Sequence, residues 1–358
     1  MMIYVEEVKK FKIYGEPVVI APYGEGHINE TFYVETDKKA KYILQKINSG
    51  LFTDVGRLMN NIFLVTEHAG EKIRRAGGDV ARETLTIVRT GDDGLYLKSD
   101  GGYFRMYIFI DNATAHQTVT DPRQFYESAA AFGAFQNYLA DFDADRLYET
   151  IPSFHDTVKR YRDFTKSVSE NRSGRLKNAE REVEFVVKRQ KYCPRIVDLL
   201  SSGAMPLRVT HNDTKLNNVM LDDKTGKAVA VIDLDTVMPG SACYDFGDSI
   251  RFGTNSGAED EPDLDKVNFR IDLFEVYAEG YLGALKSITK CEKDMLAFSG
   301  ILMTYECGMR FLSDYLDGDI YFRTRRESHN LDRCRTQFKL IEDMEKRLPE
   351  TERIIGRI

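Results

Sequence analysis

The hydrophobic period of this chain changes once, near Asp111, and that change limits the possible folds more than any other feature. Before it, short alternating or β-branched runs occur at Val18 to Ala21, Thr31 to Glu35, Lys41 to Ile47, Thr84 to Arg89, Gly94 to Lys98 and Tyr103 to Ile110, with Gly- and Asp-containing turns between them. These predict an antiparallel meander. One helix interrupts it: Val55 to Arg75 spaces Leu58, Ile62, Val65 and Ala69 for one helical face and stops before Gly77 and Gly78.

Beyond Asp111 the pattern predicts long amphipathic helices over Pro122 to Leu139, Ser153 to Phe164, Leu176 to Leu200, Leu264 to Leu285, Glu292 to Tyr315 and Leu331 to Arg347. Thr165 to Arg175 and Gly253 to Pro262 have loop composition. Leu207 to Phe252 lacks a helical period and reads as a β-rich insert. The expected architecture is α+β and bilobal, with a β-rich lobe over residues 1–110, a mainly helical lobe over 111–358 and a cleft between them, where ligands often bind.

Composition narrows the partners. Fifty Lys and Arg stand against 57 Asp and Glu, a net charge of −7, and no basic block offsets it. A phosphate backbone or an anionic lipid surface is therefore a poor partner, and neither nucleic acid nor membrane is expected. No apolar run reaches the ~18 residues of a membrane span. The N-terminal MMIYVEEVKKFKIYG carries charges where a signal peptide needs an apolar core. The five cysteines are widely spaced with no CxxC pair, as in a reduced, cytoplasmic protein. The expected state is a monomer.

The segment with the most chemical content is Val209 to Leu221 (VTHNDTKLNNVML), followed by Val229 to Asp235 (VAVIDLD). Two acids, Asp213 and Asp233, each lie next to a short apolar strand, with amides between them. Phosphoryl transfer needs this inventory: a carboxylate for the acceptor hydroxyl proton, and oxygen ligands for a Mg²⁺ ion that also engages nucleotide phosphates. In that scheme Asp213 is the base, Asn218 and Asp233 share the metal, and Lys215 stands near the transferring phosphate. Singly, either Asp could be a turn residue or a helix cap.

The pattern His211, Asp213, Asn218, with Asp233 downstream, resembles the aminoglycoside phosphotransferase and choline kinase superfamily, which has a protein-kinase-like fold. Longer runs are similar to the N-acetylhexosamine 1-kinase family of anomeric sugar kinases: HNDTKLNNVMLD, VIDLDTVMPGSACYDFGDSIRFG and YECGMRFLSDYLDGDIYF. The likeness extends from PYGEGHINETF to HNLDRCRTQFKLIE. It implies ATP and Mg²⁺ as cofactors, and GlcNAc or GalNAc as acceptor.

The resemblance also assigns roles in each lobe. Gly24, Gly26 and Asn29 sit in a turn whose backbone amides can approach phosphates; alone, this GxG is an ordinary hairpin. Lys46 ends a strand and would pair with nucleotide phosphates, unless it is a snorkelling strand-end lysine. Its usual helix partner is missing: Asn60 stands where related enzymes often have Glu, and Glu67 is the substitute considered. Adenine is placed along Tyr107 to Ile110, hence beside Tyr107 and Phe109. Thr236, Phe252, Arg310 and Tyr321 are implied to line the acceptor site. For Arg310 the plain alternative is an i, i+4 ion pair with Glu306. Asp245 and Asp248 suit helix capping and charge pairing. Other readings are a kinase of the same fold acting on another sugar, choline, an aminoglycoside or homoserine, or a degenerate nucleotide-binding module.

Overall fold

A computed structural model describes residues 3–24 and 28–358. Five strands form the first sheet: β1 (Pro17–Pro22), β2 (Glu30–Thr36), β3 (Lys41–Ile47), β4 (Leu97–Ser99) and β5 (Gly102–Ile108). All neighbours are antiparallel, in the order β1-β2-β3-β5-β4. The expected meander holds through β3 and then breaks. A tight hairpin joins β4 to β5, and β5 turns inward to pair with β3, which leaves β4 at the edge. Thr84 to Arg89, expected as a strand, meets β5 through an Ile87–Tyr107 bridge and a few backbone hydrogen bonds.

Register decides which side chains face the cleft, because alternate residues of a strand point to opposite faces. Leu44 opposes Met106 and Phe32, and Lys46 opposes Phe104. That face packs against Val8 and Phe11 from the N-terminal segment. The other face carries Ile43 opposite Tyr107 and Gln45 opposite Arg105 and Thr31.

Between β3 and β4 runs α1 (Val55–Arg75), as its spacing predicts, with Leu58, Ile62, Val65 and Ala69 all buried. Asp54 caps it by accepting a hydrogen bond from the Arg57 amide at 3.0 Å. Asn61 is fully buried on this helix. It donates to the carbonyls of Tyr148 (2.8 Å) and Val237 (3.0 Å), and its Oδ1 accepts from the Tyr148 amide. One side chain thus pins α1 to the other lobe.

The second lobe contains α2 (Pro122–Tyr138), α3 (Thr157–Glu170), four short strands β7 to β10 preceded by β6 (Ala113–Ala115), then α4 (Ala242–Gly253), α5 (Ile271–Ala284), α6 (Lys290–Asp317) and α7 (His329–Arg357). The strands are β7 (Arg208–Thr210), β8 (Val219–Asp222), β9 (Ala228–Val231) and β10 (Met238–Gly240). Expected boundaries shift for local reasons. Leu176 to Leu200 is not one helix: helices Glu180–Lys188 and Pro194–Ser201 flank a 3-10 turn, and Pro194 cannot continue an upstream helix. The loop expected at Thr165 to Arg175 is helical through Glu170, where left-handed Asn171 ends the turn. A 3-10 turn precedes α5, which begins only at Ile271. The β-rich insert also hides α4. That helix is buried on nearly every side, Asp245, Asp248 and Arg251 included, so its charged residues do not mark a solvent face as they do on a surface helix. Its closeness to α6 requires Gly247, since a Cβ there would stand 2.4 Å from the Ser299 carbonyl oxygen.

Candidate active site

β7 pairs with β10, and β8 with both β9 and β6; the loop between β7 and β8 carries His211 to Asn218. His211 Nε2 lies 2.9 Å from the Ile232 carbonyl, which can only accept, so Nε2 bears the proton. Nδ1 then accepts from the Asp213 amide at 3.3 Å. The Asp213 carboxylate is held on both oxygens: Asn218 Nδ2 donates to Oδ2 at 3.0 Å, and Lys215 Nζ stands 2.7 Å from Oδ1. Asn218 Nδ2 also donates to the Asp213 carbonyl at 2.8 Å, and among the described residues Asn218 Oδ1 has no hydrogen-bond partner. The Asp213 and Asp248 carboxylates raise the Lys215 pKa although burial opposes the charge.

Two buried acids of α4 hold this loop from below. Asp245 accepts from the amides of His211 (3.0 Å) and Asn212 (2.8 Å) and from Gln136 Nε2 (2.8 Å). Asp248 accepts from the Thr214 amide at 3.2 Å and pairs with Arg251 at 2.9 Å. The cap of α4 is instead Ser241, which accepts from the Cys243 amide. The expected charge pair is present at Asp248, while Asp245 serves the loop rather than its own helix. Burial pushes the Asp245 pKa up. Asp248 is equally buried, yet Arg251 and Lys215 more than offset that burial and its pKa is lowered.

Asp233 follows β9 and takes a left-handed backbone, φ 57°. The residue as a whole is exposed, although protein atoms crowd around its carboxyl group. Burial raises its pKa to about 7, with the Asp235 and Asp213 carboxylates adding to the shift. A concentration of carboxylates this unfavourable for charge suits a divalent cation. Among the described residues, no three His, Cys, Asp or Glu side chains form a metal cage. Mg²⁺ does not require one, since it usually takes one or two protein oxygens and fills its octahedron with water and phosphate. Asn218 Oδ1 and Asp233 fit that use.

In the sheet lobe, several expected residues stand elsewhere. Lys46 lies on the face away from the site, 3.6 Å from Glu30 Oε1 and over the Tyr4 ring. The alternation of β3 places it there, and the residue beside it on the cleft face is Gln45. Glu67 is exposed on α1 and is not a partner of Lys46. Asn29 is committed on both sides of its amide: Oδ1 accepts from the Asn48 amide at 3.0 Å, and Nδ2 donates to Asp235 Oδ2 at 2.6 Å. One Nδ2 hydrogen is thus taken up by Asp235 and the other is not engaged by it. Gly24 sits at φ +73°, a left-handed backbone that glycine adopts without strain, with open space where a Cβ would be. Gly26 lies outside the described residues. Tyr107 is buried, and burial raises its pKa. Phe109 meets Tyr33 and Tyr23 edge-on, with ring centroids 5.2 and 5.7 Å away, which forms an aromatic group where adenine is expected.

Residues 19–281, well over half of the chain, match the phosphotransferase enzyme family. The chain belongs to that family. Solved structures similar to it include an aminoglycoside phosphotransferase from Alicyclobacillus acidocaldarius, with 12% identity, TM-score 0.64, and 98% of this chain and 96% of the other covered. A microcompartment-associated aminopropanol kinase gives 13% identity, TM-score 0.60 and 98% coverage of both chains. An ethanolamine kinase from Plasmodium vivax gives 15%, 0.54, and 93% and 83%. At these identities the likeness shows the fold, which is the bilobal arrangement of this phosphotransferase family.

On the expected acceptor side of this family member, Arg310 is surrounded by rings. Its guanidinium carbon lies 5.2 Å from the Phe154 centroid, 5.4 Å from Phe322 and 5.7 Å from Tyr321. The Glu306–Arg310 ion pair does not form. Glu306 accepts instead from His155 Nδ1, at 3.0 and 3.2 Å. Among the described residues no carboxylate lies within ion-pair distance of Arg310, so its donors are available. Tyr321 is exposed beside it, and Phe252 is half-buried on α4. Thr236 is occupied, because its hydroxyl donates to the His211 carbonyl at 2.6 Å and so braces the loop. A cavity of about 480 Å³ lies behind the loop, lined by Glu149, Phe154, His155, Asn212 and Tyr244 among others. None of Thr236, Phe252, Arg310 and Tyr321 lines it, and the site is better defined by the Asp213 hydrogen bonds than by this hollow.

Among the described residues, no helix is long and apolar enough to cross a membrane. Sequence reasoning missed Arg105, Asp235 and Asn61. Asp235 had a signal, as the second acid of Ile232-Asp233-Leu234-Asp235, and Arg105 had a weak one, as a lone charge inside an apolar strand.

Proposed function

We propose that this protein transfers the γ-phosphoryl group of ATP, with Mg²⁺, to a small hydroxylated acceptor, and that this acceptor is the anomeric hydroxyl of an N-acetylhexosamine. The first part is carried by Asp213, whose two carboxylate oxygens are oriented by Asn218 and Lys215, close enough to Asp233 for the two carboxylates to repel. Asp213 accepts the acceptor proton as the oxygen attacks the γ-phosphorus, and ADP leaves. Lys215, adjacent to that carboxylate, faces the charge moving between the reactants. Bound Mg²⁺, held by Asn218 and Asp233, would neutralise phosphate charge. Catalysis is then mainly positioning and charge stabilisation.

In this reading residues 1–110 hold the nucleotide, with Gly24 at the phosphates and Tyr107 and Phe109 at the base, while 111–358 hold the loop and the acceptor. The enzyme would work as a cytoplasmic monomer. The acceptor assignment rests on the resemblance around Phe252, Arg310 and Tyr321, together with unpaired guanidinium donors among aromatic rings, a mixture that suits a sugar with an N-acetyl group. Arg310→Ala is expected to raise the acceptor KM by roughly tenfold or more, the equivalent of one charged hydrogen bond.

The decisive experiment offers GlcNAc, GalNAc, glucose, galactose and choline with Mg·ATP and reads the product by phosphorus NMR. Anomeric phosphate on an acetylated sugar supports the full reading. Turnover of choline alone overturns the sugar and keeps the kinase. Mg·ATP binding without turnover of any hydroxylated acceptor overturns the kinase and leaves a binding module.

A further inference from the structure

A buried polar network joins the sheet lobe to the segment that carries the metal ligand. Arg105 on β5 is 1% exposed and Asp235 is 3% exposed. Arg105 Nη1 pairs with Asp235 Oδ1, and Asn29 Nδ2 donates to Oδ2 at 2.6 Å. Behind the guanidinium, Arg105 Nε donates to Gln45 Oε1 at 2.9 Å, and Gln45 Nε2 to Thr31 Oγ1 at 3.1 Å. Burial opposes the Arg105 charge and Asp235 overcomes it, so the guanidinium pKa is held above its usual value. Desolvating two ions costs several kcal/mol each, which a simple lobe contact made of apolar residues would avoid.

Asp235 is two residues from Asp233, and the 3-10 turn Leu234–Thr236 starts directly after the left-handed Asp233. Little slack separates the two carboxylates, and to fix one is to aim the other. We infer that Arg105 is a positioning residue for the metal and nucleotide: through Asp235 it sets where Asp233 presents its oxygens, and it ties that placement to the sheet lobe. Lys46 cannot do this from β3, because it lies on the opposite face of the sheet. The inference rests on the kinase reading, since it takes Asp233 as a Mg²⁺ ligand.

The test measures Mn²⁺ binding to the full chain by electron paramagnetic resonance, with a non-hydrolysable ATP analogue present, alongside thermal unfolding. Arg105→Lys keeps the charge but cannot reach Gln45 and Asp235 together. Its Mn²⁺ dissociation constant is expected to rise about tenfold, the low end of the cost of losing an outer contact that supports a metal site. Asn29→Ala, which frees one Asp235 oxygen and leaves the ion pair intact, should move the same constant in the same direction by less. It carries the test if Arg105→Lys does not fold. Wild-type Mn²⁺ affinity in a folded Arg105→Lys, or in Asn29→Ala where the former fails, overturns the inference even if the melting temperature falls. If the wild-type protein itself binds no Mn²⁺ with nucleotide, the kinase reading fails first.

Discussion

Two buried arginine–carboxylate pairs show how one piece of chemistry serves two ends. Arg208 on β7 pairs with Glu292 at the start of α6: Nη2 donates to Oε2 at 2.9 Å and Nε to Oε1. The same carboxylate accepts from the Thr289 amide and hydroxyl, each at 2.8 Å, in a capping box. Ser287 takes another guanidinium hydrogen at 2.8 Å on its carbonyl. Every partner belongs to the helical lobe, so this pair is architecture. Arg105 and Asp235 are as well buried, but they come from different lobes, and one of them stands two residues from the candidate metal ligand. What a buried ion pair does thus depends less on its geometry than on what its ends are attached to.

The largest effect expected in the molecule belongs to neither pair. Asp213→Asn should lower kcat by about 10²- to 10⁴-fold, the usual worth of a general base, with unfolding unchanged. A purified, folded variant with near-normal turnover would remove Asp213 from the mechanism. Next come the pairs themselves: Arg208→Ala and Arg105→Ala should each cost about 3–5 kcal/mol in urea unfolding, because each strands a buried carboxylate. The sharper comparison replaces both ends. Arg208→Met with Glu292→Leu should recover most of that stability and retain activity and Mn²⁺ binding. Arg105→Met with Asp235→Leu should recover stability but not metal affinity. Equal Mn²⁺ binding in the two double variants would make the pairs equivalent.

A smaller effect is expected at Asn61, where Ala would leave two carbonyls and one amide without partners. About 1–3 kcal/mol should be lost, read as a shift in the unfolding midpoint. The smallest concerns acid. The lowered pKa of Asp248 means that the folded chain binds this proton less tightly than the unfolded chain does. Its contribution to stability is therefore present above the ordinary carboxylate range and lost as pH falls through the lowered folded value. Asp245, raised by burial, has the opposite slope. Asp248→Asn should make the acid limb of a stability–pH curve shallower, and an unchanged limb would show that Arg251 and Lys215 do not stabilise the Asp248 charge.

Much of the candidate site could be read before any coordinates. His211, Asp213, Lys215 and Asn218 lie within eight consecutive residues, and a loop between two short strands must bring them together. The α1 stripe was legible for the same reason, since its period is local. Failures came where the deciding contact was distant in sequence. Asp245 reads as a capping residue until α4 is seen beneath the loop. Helix α4 is itself hard to read because its charged residues are buried with its apolar ones, which only the contacts around it reveal.

Lys46 is the most instructive case. Its identity and its place at a strand end match a phosphate-binding lysine, but a strand sends alternate side chains to opposite faces, and only the pairing with β5 shows which face meets the cleft. By itself, the amino-acid sequence determined the two lobes, the residues gathered in the loop and the acidic character of that segment, because these follow from local period, residue type and charge. Tertiary structure decided which cation faces the site, which carboxylate it holds and how the lobes are joined. Arg105 and Asp235 stand 130 residues apart in the chain, and neither register nor burial is encoded in either residue's own neighbourhood.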